Sequence, residues 1–129
     1  MIPTAIARWH ALVASKDPGA LDSLLAEDVV FHSPVVHTPQ VGKSIATKYL
    51  TAAMAVFFNE SFRFTRELYA ERVGVLEFVV HIDGLVVNGV DIIAWNDDHQ
   101  VIEFKVMIRP LKAIQLIHQK MGEVLATMG

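Results

Sequence analysis

The chain has no cysteine among its 129 residues. Disulfides, thiol nucleophiles and thiolate metal ligands are therefore excluded, and the absence fits a cytoplasmic protein. No block of basic residues occurs and the net charge is -3, so no nucleic-acid partner is expected. No apolar run approaches the ~18 uncharged residues of a membrane helix, so no membrane partner is expected either. The start, Met1-Ile2-Pro3-Thr4-Ala5, lacks the basic segment and apolar block of a secretory signal. Repeats, low-complexity tracts and linkers are missing too, and the expected organisation is one domain over residues 1–129. What the chain has in plenty is apolar side chains, 53% of the total, with a mean hydropathy of +0.39. One small core does not use that many. The surplus points to a ligand cavity or a second buried surface.

Periodicity sets the element order. Ile2, Ile6, Trp9 and Val13 recur at helical spacing. Asp17-Pro18 then caps a short helix with Leu21, Leu24 and Leu25 on its buried side. Val29 to Ser33 reads as a strand closed by Pro34, and a loop leads to Gly42. A third helix, about Lys43 to Phe58, is apolar on most sides. After Asn59 the period changes to two. Strands are expected from Phe62 toward Tyr69, from Val75 to Ile82, from Val86 to Trp95 and from Val101 to Arg109. Turns fall at Glu71–Gly74, Asp83-Gly84 and Asn96–Gln100. Pro110 opens a last helix. The fold class is α+β, with helices packed on one face of a curved antiparallel sheet. The late strands are apolar at both parities, as if the outer face were covered as well, by a second copy of the chain.

Asp91 stands alone in the apolar strand Val86–Trp95. A carboxyl there is costly unless it is paired or protonated. An odd-numbered loop centred on Asp98 would set Asp91 directly opposite Lys105 and Gly89 opposite Met107, with Arg109 on the same face. A cation beside Asp91 would keep it ionised; without one, burial would keep it neutral. Trp9, Phe31, Tyr49, Phe78, Val80 and Met107 are candidates to line a hollow around it, and Ser33 is a candidate partner for the Tyr49 hydroxyl. No metal site is expected. His32 and His37 are the only near pair of histidines, Pro34 separates them, and no acidic residue completes a ligand set. No cofactor is implied.

Ala7-Arg8-Trp9, the run Leu24-Leu25-Ala26-Glu27-Asp28-Val29-Val30-Phe31-His32-Ser33-Pro34, Gly42, and the segment Ala94–Ile102 together give the chain its resemblance. In order and spacing it resembles the nuclear transport factor 2-like superfamily, which includes SnoaL-like proteins and ketosteroid isomerases. The resemblance implies a cone whose hollow lies between the concave sheet and the helices. It also implies that Asp91 falls where the isomerases keep a protonated aspartic acid that donates to an oxyanion. Ser33 falls at their general-base aspartate and Trp9 at their oxyanion-hole tyrosine. Gly89 stands where a related epoxide-hydrolase pattern has arginine. The chain therefore departs from a standard ketosteroid isomerase.

Three functions remain open on these residues. One is binding of a small hydrophobic compound with an anionic or enolisable group, extended to acid/base conversion by Asp91 with Lys105 and Arg109 as electrostatic partners. Another is a carrier or sensor with the same pocket. The third is a dimerisation module whose hollow is filled by side chains.

Overall fold

Ile6, Trp9 and Leu12 fall on one side of the first helix, α1 (Thr4–Ser15), and all three are buried. The computed structural model, which describes residues 1–128, ends this helix at Lys16 in the left-handed region, φ 55°. Asp17 accepts the Gly19 N–H, with Pro18 in the first turn, where its missing donor is harmless. A single 3-10 turn, Pro18–Ala20, runs into α2 (Leu21–Leu24), and the chain is already extended at Leu25. Leu25 thus opens strand β1 (Leu25–His32) instead of ending a helix. β2 (Gln40–Val41) lies within the stretch read as loop and pairs with Phe31 and Val30. The third helix is α3 (Lys43–Phe57), and its apolar Ile45 is 39% exposed.

Four long elements complete the sheet: β3 (Arg63–Ala70), β4 (Val73–Ile82), β5 (Leu85–Trp95) and β6 (Val101–Arg109). The strand order is β2-β1-β6-β5-β4-β3, antiparallel except where β1 runs parallel to β6. Helix α4 (Leu111–Thr127) follows, packing beside α3 and against β5 and β6. Leu76, Phe78, Val80 and Ile82 of β4 are buried on the helix side, while Val75, Glu77 and Val79 point outward and are half-exposed. The β4–β5 turn is Asp83-Gly84, both with positive φ (49° and 79°), the backbone that a two-residue hairpin of primed type requires.

The β5–β6 hairpin differs from expectation in one respect with large consequences. Asn96 Oδ1 accepts the N–H groups of Asp98 and Gln100, each at 3.0 Å. His99 takes φ 61°, so Trp95 faces Val101, as an odd loop requires. The register then shifts: Ala94 faces Glu103, and Ile102 has no partner across the ladder. This bulge advances every later pair by one residue, and a one-residue shift turns side chains to the opposite face. Asp91 therefore faces Val106, Gly89 faces Ile108, and Lys105 faces Ile92. Lys105, Met107 and Arg109 go to the outer face of the sheet, away from Asp91.

Gly89 is held by close approach. A Cβ there would lie 2.5 Å from Phe78 Cζ and 2.7 Å from the Met107 carbonyl oxygen. The Phe78 ring fills the space that a side chain would take. Gly89→Ala is expected to cost ~1–3 kcal/mol through overpacking, read as a lower midpoint in urea unfolding with an unchanged slope.

Candidate functional site

Between the inner face of the sheet and helices α1 and α3 lies a small hollow of about 30 Å3. Helical periodicity brings Trp9 of α1 and Leu50, Met54 and Phe57 of α3 to it; Phe58 and Phe62 close one end. The sheet contributes Phe78, Asp91, Phe104 and Val106, the inward parity of three adjacent strands. The rings interlock. Phe62 stacks on Phe78 at 5.2 Å and meets Phe58 edge-on at 5.0 Å, and Trp9 meets Phe104 edge-on at 4.9 Å. Such contacts stabilise a wall beyond simple burial.

Two of the side chains lining this apolar space carry polar groups. Asp91 is 5% exposed and is flanked in the sheet by Leu76 and Val106. Burial alone pushes its carboxyl from the usual value up to about 8. Among the described residues no hydrogen bond or neighbouring charge offsets that burial. The cause is plain: an ionised carboxylate loses its hydration there and gains no cation, because Lys105 is on the other face. Asp91 is thus neutral at pH 7, with an O–H to donate and a carbonyl oxygen to accept. The second group is Trp9 Nε1–H, buried and without a hydrogen-bond partner. Buried donors are seldom left unpaired, and this one belongs to a side chain lining the same hollow as Asp91.

The other residues singled out from sequence are dispersed. Phe78 lines the hollow. Phe31 is buried behind Phe104, with ring centroids 6.1 Å apart, and Tyr49 lies beyond Phe31 at 6.3 Å. Val80 is fully buried core. Ser33 Oγ accepts the Val35 N–H at 3.2 Å within its own loop instead of pairing with Tyr49. With Lys105, His32, His37 and Met107 it borders a separate surface depression. His32 pairs there with Glu103 at 3.2 Å. Met107 is 51% exposed, and Arg109 donates to Asn88 Oδ1 at 3.4 Å. Lys105, Met107, Arg109 and Ser33 are therefore not members of the Asp91 site. Sequence reasoning missed Phe57, Phe58, Phe62, Phe104 and Val106. The pair Phe57-Phe58 at the end of an apolar helix was a usable signal. Phe104 and Val106 were assigned to the wrong face by the unbulged register.

Among the described residues no three His, Asp or Glu side chains are grouped to hold a metal. No helix is long and apolar enough to cross a membrane.

The fold has relatives. A steroid delta-isomerase from Pseudomonas aeruginosa is 35% identical and superposes with a TM-score of 0.90, over 96% of this chain and 90% of that one. An uncharacterised bacterial protein with a cystatin-like fold, from Silicibacter pomeroyi, is 31% identical with a TM-score of 0.85, over 93% and 84%. An NTF2-like protein of unknown function from Mesorhizobium loti shares the fold at 19% identity and a TM-score of 0.70, over 82% and 88%. No curated protein sequence matches the chain. The model of the SnoaL-like domain matches residues 6–104. The chain belongs to the SnoaL-like domain family, on the nuclear transport factor 2-like cone.

Proposed function

We propose that this protein binds a small, largely apolar compound through a carbonyl, enol or phenol oxygen, and that Asp91 converts an enolisable one by proton transfer. The observation carrying this reading is the pairing of two unsatisfied polar groups, the Asp91 carboxyl and Trp9 Nε1–H, in a hollow otherwise lined by apolar and aromatic side chains. Both offer a hydrogen to the same kind of atom, a ligand oxygen. Donors aimed at an oxygen that becomes negative in the transition state are worth most where water is excluded.

A neutral carboxyl is bifunctional. Its O–H gives a proton to the carbonyl oxygen of a bound ketone, while its other oxygen receives the proton leaving the α-carbon. Ketone becomes enol, and Asp91 ends as it began. Trp9 Nε1–H steadies the charge on oxygen during the transfer. Among the described residues Asp91 is the only titratable side chain lining the hollow, so one residue serves as both acid and base. The likeness to a protein named a steroid delta-isomerase supports an enolisable ketone as the ligand class. The reaction is not carried over whole, because Ser33 stands in for the isomerase's base and faces its own loop.

The test is exchange of the α-protons of 2-tetralone, a two-ring enolisable ketone, for deuterium in D2O, followed by NMR. Catalysed exchange above buffer supports the reading. Binding without exchange leaves a carrier, and neither binding nor exchange sinks both.

The outer sheet face supports a partner as well, a second copy of this chain. Val75, Ile92, Val90 and Met107 make neighbouring apolar positions across β4, β5 and β6, and Met107 is half-exposed. Arg66 and Glu77, 3.7 Å apart, edge the patch with both charge signs. Met107→Glu is expected to convert a dimer to a monomer in sedimentation velocity; an unchanged sedimentation coefficient would reject this face.

A further inference from the structure

The hollow shares wall residues with the surface around it. Two open depressions lie outside it, between the C-terminal ends of α1 and α3. One is bordered by Lys16, Thr51 and Met54, the other by Val13, Asn59 and Phe62, and Phe58 borders both. Phe58 also lines the hollow. One ring therefore has its inner side on the ligand space and its outer side on both depressions. We propose that Phe58 is a swinging wall: it admits ligand to the hollow from the groove between α1 and α3, and in its closed position it sets the longest ligand that fits.

The local geometry favours motion of this side chain over its neighbours. Phe58 follows the last residue of α3, with φ -88° and ψ 79°, and its N–H still bonds the Met54 carbonyl at 3.0 Å. The backbone is thus anchored while the ring is half-exposed. The ring rests on two aromatic contacts, Phe62 at 5.0 Å and Trp9 at 6.0 Å, and on no hydrogen bond. Rotation about its side-chain bonds breaks those ring contacts and costs no hydrogen bond. The depression on the far side of the cone offers no such route. It shares only Val106 with the hollow, and Val106 is a short side chain paired with Asp91 in the sheet. Trp9 ties the wall to the chemistry, because the ring that leans on Phe58 carries the unpaired N–H.

This inference rests on the reading of the hollow as a ligand site, and the experiment separates the two. Stopped-flow fluorescence of 2-naphthol measures association with the wild type, Phe58→Ala and Phe58→Leu, the second variant guarding against misfolding of the first. The longer 4-phenylphenol is titrated in parallel. Phe58→Ala is expected to raise the association rate constant about tenfold, the factor by which losing these ring contacts favours the open state. It should also raise affinity for 4-phenylphenol relative to 2-naphthol by a similar factor, with Phe58→Leu between. If 2-naphthol binds the wild type, and neither variant changes the rate or the length preference, the swinging wall is wrong and the ligand site stands. If 2-naphthol binds none of the three proteins, the ligand site and the wall fall together.

Discussion

Asp91→Asn should slow α-proton exchange of a bound ketone by ~10²–10⁴-fold, the range expected for loss of a positioned acid/base, while ligand affinity changes little. The asymmetry follows from what the amide keeps. Asparagine has nearly the same volume, and its N–H2 still donates to a ligand oxygen, so binding through the hydrogen bond survives. It cannot release a proton to that oxygen or accept one from carbon. Among the described residues no other titratable side chain lines the hollow, so no neighbour takes over. Trp9→Phe removes the second donor without removing the proton carrier, and a smaller loss is expected from it. Equal losses in affinity and exchange for Asp91→Asn would mean that Asp91 only binds. Undiminished exchange would mean that the chemistry lies elsewhere.

The second large effect is on stability, and its sign is opposite. Asp91→Leu and Asp91→Asn should make the fold more stable at pH 8 than the wild type. In the unfolded chain the carboxyl loses its proton near its ordinary value of 3.8, whereas in the fold it holds the proton to about 8. Between those values the native state binds one more proton than the unfolded state. Unfolding free energy therefore falls as pH rises, by ~1.4 kcal/mol per unit. The favourable contribution of the neutral buried acid is complete below about pH 4, declines through the window and is gone above about 8. Over the whole window the loss is on the order of 5 kcal/mol, comparable with the total stability of a small domain. Urea unfolding at pH 5 and pH 8 measures it: the wild type should weaken markedly, and Asp91→Leu should lose that slope. A site that costs stability and carries function is a familiar exchange. A wild type no weaker at pH 8 than at pH 5 would mean that Asp91 is already ionised and paired.

The element order was legible because it rests on local rules. Ile6, Trp9 and Val13 mark a helix by spacing, Leu76, Phe78, Val80 and Ile82 mark one face of a strand, and Asp83-Gly84 marks a two-residue turn. Asp91 was legible because a lone carboxyl in an apolar strand has few stable explanations. Its partner was not. The five-residue turn held by Asn96 was read correctly, but the bulge at Ile102 moved Lys105, Met107 and Arg109 to the far face. A bulge of this kind leaves no local signature, since it answers to how the sheet must curve to close over the helices. That one residue decides between an ion pair and a neutral acid, and so between the two chemistries the sequence left open. β2 escaped notice for a related reason: two residues acquire strand geometry only because Val30 and Phe31 are there to pair with them.

The central claim is that Asp91 is a neutral, unpaired acid facing the hollow at physiological pH. The most direct measurement is a carbon-13 NMR titration of the aspartate carboxyls between pH 3 and 9, with the Asp91 signal assigned by its absence in Asp91→Asn. Asp91 is expected to titrate with a midpoint at about 8. A midpoint near 4 would contradict it, leaving an ionised Asp91 and no neutral acid in the hollow.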